Sequence, residues 1–86
     1  MAVLLPNQDV SRDQMRGYRV FIWSHDHPHP PHVHMGKGDD YSTWDLMTLH
    51  CIYAGQFSSS DLRTQHKLLR EFYAELQRSW HAHWQT

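Results

Sequence analysis

The fold is decided by the stretch SSSDLRTQHKLLREFYAELQRSWHAHW at residues 58–84. Its apolar and aromatic side chains recur at spacings of four and three, which is the period of an amphipathic helix. This stripe consists of Leu62, His66, Leu69, Tyr73, Leu76, Trp80 and His83, and it is widened by Leu68, Phe72 and Trp84. Ser58 and Asp61 match a capping box, and no Gly or Pro follows Gly55. The pattern predicts one long C-terminal helix, about 39 Å in length.

The part of the chain before this helix is typical of β-strands. Residues 18–24 (YRVFIWS) combine β-branched and aromatic side chains, and residues 32–35 (HVHM) alternate polar with apolar ones. The turn sequence GKGDD at 36–40 predicts a hairpin that returns along 41–46, and residues 49–53 predict a less regular fourth strand. The chain is therefore expected to be an α+β domain, with a small antiparallel sheet of three to four strands packed on the helix.

Length and composition set the boundaries of this domain. Residues 1–17 show little apolar periodicity after Leu5, so we expect a flexible N-terminal leader at 1–17 and a single domain at 18–86.

The single cysteine excludes a disulfide framework, and no apolar run approaches the roughly 20 residues that span a bilayer. The net charge of −1 gives no general electrostatic footprint for nucleic acid. We expect a cytoplasmic protein that does not enter membranes.

Five of the nine histidines lie between residues 25 and 34, among three prolines. His32 and His34 are two residues apart on a predicted strand, so their side chains leave the same face and suit one divalent transition metal such as zinc or nickel. His27 and His29 in the preceding loop are the further candidate ligands. The alternative is a solvated loop whose imidazoles bind no metal.

The same residues suggest a second kind of chemistry. His32 or His34 is a candidate general base for cleavage of nucleic acid, with Lys37 or Arg19 as the cation that stabilises phosphate charge. Cys51 and its neighbour His50 point to opposite faces of a strand, so a buried core cysteine is favoured over a thiol nucleophile.

Two features of the helix have both a structural and a functional interpretation. Trp80 and Trp84 fit either core packing or a protein-binding surface, because so small a core is not expected to bury every aromatic side chain. The helix also carries a basic flank, which consists of Arg63, Lys67, Arg70 and Arg78. Glu71 and Glu75 interrupt this flank, which favours a solvated face on which the charges pair.

The chain resembles a bacterial family called domain of unknown function 4160 (DUF4160). The resemblance rests on the aromatic strand ending in Ser24, the Pro-Pro-His-x-His motif at 30–34, the Lys-Gly turn at 37–38 and the helix ending in Trp80 and Trp84. It covers about residues 17–85. His25, His27 and His29 exceed the family's usual loop composition, and Asp45 stands where an apolar residue is common.

What the resemblance implies is a gene context rather than a reaction. Genes of this family often neighbour another small family, domain of unknown function 2442, as in a toxin–antitoxin pair. We therefore expect an accessory protein that acts through protein contacts, as a homodimer or in a hetero-complex with the product of a neighbouring gene. The alternatives are a histidine- or metal-dependent enzyme acting on nucleic acid, and a simple metal-binding domain.

Overall fold

The computed structural model describes residues 2–5, 15–23 and 31–84, which form one antiparallel sheet and two helices. The five strands follow one another in the sheet in chain order, each antiparallel to the next. The strands are β1 (Ala2–Leu5), β2 (Arg19–Trp23), β3 (His32–Lys37), β4 (Asp40–Asp45) and β5 (Cys51–Tyr53). The helices are α1 (Ser59–Glu71) and α2 (Tyr73–Trp84). The α+β prediction is confirmed, and β2 to β5 are the four strands that the sequence predicted.

The sheet contains one strand that the sequence analysis missed. Ala2–Leu5 pair with β2 in a register that runs from Ala2 opposite Trp23 to Leu5 opposite Val20. A stretch of four residues is too short to show alternation, so the sequence alone places it in the leader at 1–17. Part of that leader thus belongs to the sheet, while residues 6–14 lie outside the described residues.

The prediction of one long helix is wrong, because the helix breaks at Phe72. The backbone of Phe72 has φ −107° and ψ 21°, away from helical values, although the hydrogen bonds on either side of it continue. No Gly or Pro marks this position, so periodicity alone extends the helix through it. Leu69 on α1 and Leu76 on α2 are seven residues apart and both lie in the core, so the apolar face continues across the break.

The first turn of α1 is capped as predicted. The Ser58 hydroxyl accepts a hydrogen bond from the Asp61 backbone N–H at 3.1 Å, and the Asp61 carboxylate accepts one from the Ser58 N–H at 3.2 Å. These reciprocal bonds satisfy backbone donors that the helix itself leaves unpaired. No helix within the described residues is long and apolar enough to cross a bilayer.

One face of the sheet and one face of each helix enclose the core. Its buried members are Met15, Tyr18, Val20, Ile22, Val33, Met35, Trp44, Leu46, Leu68, Leu69, Leu76 and Trp80. The buried side of α1 is rotated slightly from the predicted one. Gln65 is fully buried, while Leu62 and His66 are only half-buried. The side-chain oxygen Oε1 of Gln65 accepts hydrogen bonds from the Ser42 hydroxyl and, at 3.2 Å, from the Trp44 indole N–H. A polar side chain thus joins α1 to β4.

Candidate functional site

The sheet has a second face, which points away from the helices. Because side chains alternate along a strand, the residues next to core positions on β2, β3 and β4 lie on this face. Those with described side chains are Arg19, Phe21, His32, His34, Gly36, Tyr41, Thr43 and Asp45. We call this set the histidine face, since it contains both histidines of the Pro-Pro-His-x-His motif.

His34 lies at the centre of the histidine face. It is only 6% exposed, and its Nδ1 lies 2.8 Å from the Thr43 hydroxyl, with which it shares a hydrogen bond. The His34 ring packs against Phe21 at 5.4 Å and edge-on against Tyr41 at 5.8 Å, measured between ring centroids. These contacts on both sides hold the imidazole in one orientation, which is a requirement for a ligand or a general base.

The structure brings His32 and His34 together, as the sequence predicted. Their ring centroids are 5.4 Å apart and the rings are nearly perpendicular. The other predicted metal ligands, His27 and His29, lie outside the described residues. Within residues 2–5, 15–23 and 31–84, no three His, Cys, Asp or Glu side chains are grouped as a metal site would require.

Lys37 does not lie beside these histidines. It is an odd number of residues from both, so its side chain leaves the opposite face of β3. The ammonium group lies 4.7 Å from the centroid of the Tyr18 ring and donates a hydrogen bond to the Arg16 carbonyl at 3.4 Å. The predicted combination of Lys37 with His32 or His34 is therefore not formed.

Arg19 is the cation on the histidine face. It pairs with Gly36 in the register of β2 and β3, and its guanidinium donates a hydrogen bond to the Gly38 carbonyl at 3.1 Å. A Cβ on Gly36 would lie 3.0 Å from both the Arg19 guanidinium and the Phe21 ring. The glycine thus gives these two side chains room to lie flat against β3.

The connection between β4 and β5 is a turn built by Asp45. Its carboxylate accepts hydrogen bonds from the backbone N–H groups of Met47 at 2.7 Å and Thr48 at 2.9 Å. The Thr48 N–H contributes most to keeping the pKa of Asp45 below its usual value. Because the charged form accepts these bonds, this support for the turn is lost as the pH falls through the lowered pKa. Asp45, which stands where the family commonly has an apolar residue, therefore has a structural role in this turn.

Cys51 lies on β5 and is exposed, so the prediction of a buried core cysteine is wrong. β5 is three residues long and lies at the end of the sheet, where only one of its sides meets another described strand. Partial desolvation raises the pKa of the Cys51 thiol, which lowers the fraction of reactive thiolate. The geometry gives no support to a thiol nucleophile.

The two tryptophans predicted as an interaction surface are positioned mainly by the core. Trp80 is 2% exposed, and Trp84 is half-buried and packs against the same core, with its ring 6.1 Å from that of Trp80. Among the residues whose side chains the structure describes, the large apolar ones that are exposed lie elsewhere, on β4, β5 and the turn between them. They are Tyr41, Met47, Ile52 and Tyr53, with exposed fractions of 37–60%.

Together these features define a small α+β protein: an antiparallel sheet covered on one face by two helices, with paired histidines on the other. Residues 17–81 match the family described as domain of unknown function (DUF4160). This match covers well over half of the chain, and the chain belongs to that family. Neither the curated proteins nor the solved structures contain a significant match to it.

Proposed function

We propose that the protein is a protein-binding component of a toxin–antitoxin-like two-gene module, and that it binds its partner through the edge of the sheet at β5. The observation that carries this proposal is the grouping of the exposed large apolar side chains. All those found among the described residues lie on β4, β5 or their connecting turn. Exposed apolar patches of this kind are typical of contact surfaces.

The backbone of β5 supports the same proposal. Within the described residues β5 pairs only with β4, so its other side presents backbone donors and acceptors to a further strand. Tyr53 packs against Tyr41 with ring centroids 5.3 Å apart, and Ile52 is 58% exposed. An added strand gains main-chain hydrogen bonds from such an edge and apolar contacts from its side chains. The partner is a second copy of the chain or the product of the neighbouring gene.

The test is co-expression of the protein with the product of the adjacent reading frame, with light scattering on the isolated protein at pH 7.5 and 5.5. Replacing Ile52 and Tyr53 together by lysine is expected to weaken the complex at least about tenfold, because two charges then have to be desolvated at the edge. Ala74→Lys adds a lysine at an exposed position of α2 and serves as the control. A stable complex of the double variant would contradict the proposal, as would a monomer at both pH values that does not bind the neighbouring product.

The histidine face supports a second candidate function, a metal site that serves binding or nucleic-acid chemistry. The hydrogen bond between the His34 Nδ1 and Thr43 is the kind of contact that orients a metal-binding imidazole towards coordination through Nε2. His32, 5.4 Å away between ring centroids, is the partner ligand, and zinc or nickel is the metal that imidazole nitrogen favours.

For this second candidate we expect His32→Ala with His34→Ala to abolish tight zinc binding in calorimetry at pH 7.5. Binding by the natural chain should weaken below pH 6, because protons compete for the imidazoles. Removal of the exposed His50 and His81 takes away the same number of imidazoles and should leave the affinity unchanged. If instead the loss follows replacement of His25, His27 and His29, the site belongs to the loop.

A further inference from the structure

A shallow groove runs along the outer side of α1. It has a volume of about 620 Å³ and is lined by Ser59, Leu62, Arg63, His66, Lys67 and Arg70. Arg70 also lines an adjoining cleft of about 260 Å³, formed with Met47, Thr48, Leu49 and Tyr73. The two depressions share Arg70, and we call the first and larger of them the α1 groove. It extends along α1 from Ser59 to Arg70.

The rim of the α1 groove is basic. Arg63, Lys67 and Arg70 are exposed and lie at i, i+4 and i+7, so they share one side of the helix. The sequence analysis expected this flank to be salt-paired, but within the described residues none of the three forms an ion pair. In the described part of the chain, an ion pair joins Arg78 to Glu75 on α2 instead, at 4.0 Å. The rim therefore attracts an anionic partner.

The surface between these basic side chains offers apolar contact through Leu62, which is half-buried and packs against the core. The ring that lines the groove, that of His66, is also half-buried. A single-stranded nucleic acid would need exposed ring faces on which its bases stack. Trp44, whose ring lies 5.8 Å from that of His66, is only 4% exposed and offers no such face.

We propose that the α1 groove binds an acidic, amphipathic segment of a partner protein. Carboxylates of the segment pair with Arg63, Lys67 and Arg70, while an apolar side chain enters the floor over Leu62. From Leu62 to Arg70 the helix rises about 12 Å, which matches about two helical turns of a bound segment. This surface is distinct from the β5 edge, so binding there does not depend on the function proposed above.

The test uses fluorescence anisotropy with a labelled 12-residue peptide of glutamate and leucine, patterned as an amphipathic helix. We expect micromolar binding at low salt that weakens as salt is added. Arg63→Glu with Lys67→Glu should weaken binding at least about tenfold, because two attractive contacts become repulsive. Arg78→Glu, at a side chain that is 71% exposed and outside the groove, is the matched control and should change the affinity less than twofold.

Two further measurements separate the acidic segment from other occupants. Leu62→Ser should weaken binding of the peptide without changing its salt dependence, since it removes apolar contact only. A labelled 12-residue oligouridylate should bind more weakly than the peptide. The proposal is overturned by tighter binding of the oligouridylate, by no peptide binding up to millimolar protein, or by equal binding of the natural chain and the doubly reversed variant. Circular dichroism confirms that each variant is folded.

Discussion

Replacing Leu69 by alanine is expected to lower the free energy of unfolding by about 2–5 kcal/mol. Leu69 is fully buried on α1, in the cluster that joins both helices to the sheet. Its removal takes away apolar contact and leaves a cavity that the surrounding strands cannot easily fill. Domains of this size have a total stability of about 5–15 kcal/mol, so the loss is a large share of the whole.

Urea unfolding followed by circular dichroism measures this loss. Leu62→Ala is the matched control, because it removes the same atoms from the same helix at a half-buried position. We expect Leu62→Ala to cost less than half as much as Leu69→Ala. A loss below about 0.5 kcal/mol for Leu69→Ala, or a larger loss at Leu62, would show that the helix is rotated away from the phase described here.

Gly55→Ala is expected to lower the free energy of unfolding by about 3 kcal/mol or more. The backbone of Gly55 has φ +60°, a region that L side chains rarely adopt. An added Cβ would also collide with the Tyr41 carbonyl oxygen and approach the Asp40 carboxylate to 2.7 Å. That carboxylate accepts a hydrogen bond at 2.7 Å from the Gln56 backbone N–H, so the chain before α1 cannot move away without losing this contact.

Gly38→Ala is a control that separates the strain of a positive φ from the collision of the added Cβ. Gly38 has nearly the same φ, +62°, but no atom lies within 4 Å of an added Cβ. Its replacement should therefore cost only the conformational strain, about 1–2 kcal/mol. Thermal or urea unfolding of both variants gives the comparison. Equal losses at the two glycines would show that the close approach of Gly55 to β4 does not contribute to stability.

The alternation of side chains along a strand predicted only part of the histidine face. It correctly placed His32 and His34 on one side of β3, and their rings are in contact. The same rule places Lys37 on the other side, where it packs over Tyr18. Of the two candidate cations, Lys37 and Arg19, alternation therefore excludes Lys37 and leaves Arg19. The contact of His34 with Tyr41, by contrast, depends on how β3 pairs with β4.

Helical periodicity predicted α1 and α2 as a region but not the break between them. No Gly or Pro marks Phe72, so nothing local in the sequence indicates that the helix ends there. The apolar face nevertheless continues across it, because Leu69 and Leu76 both lie in the core. The burial of Gln65 was missed for a related reason: a polar side chain is assigned to the surface unless its partners, here Ser42 and Trp44, are known.

The sequence by itself determined the elements that depend on neighbours along the chain: four strands, the turn at 36–40, the capping box at Ser58 and an amphipathic helical region. Only the tertiary structure decided which apolar side chains remain exposed. Trp80 and Ile52 are both large hydrophobic side chains, yet the first is buried between helix and sheet and the second lies on an edge strand. The physical reason is that burial depends on the layers that pack together, and residues distant in sequence form those layers.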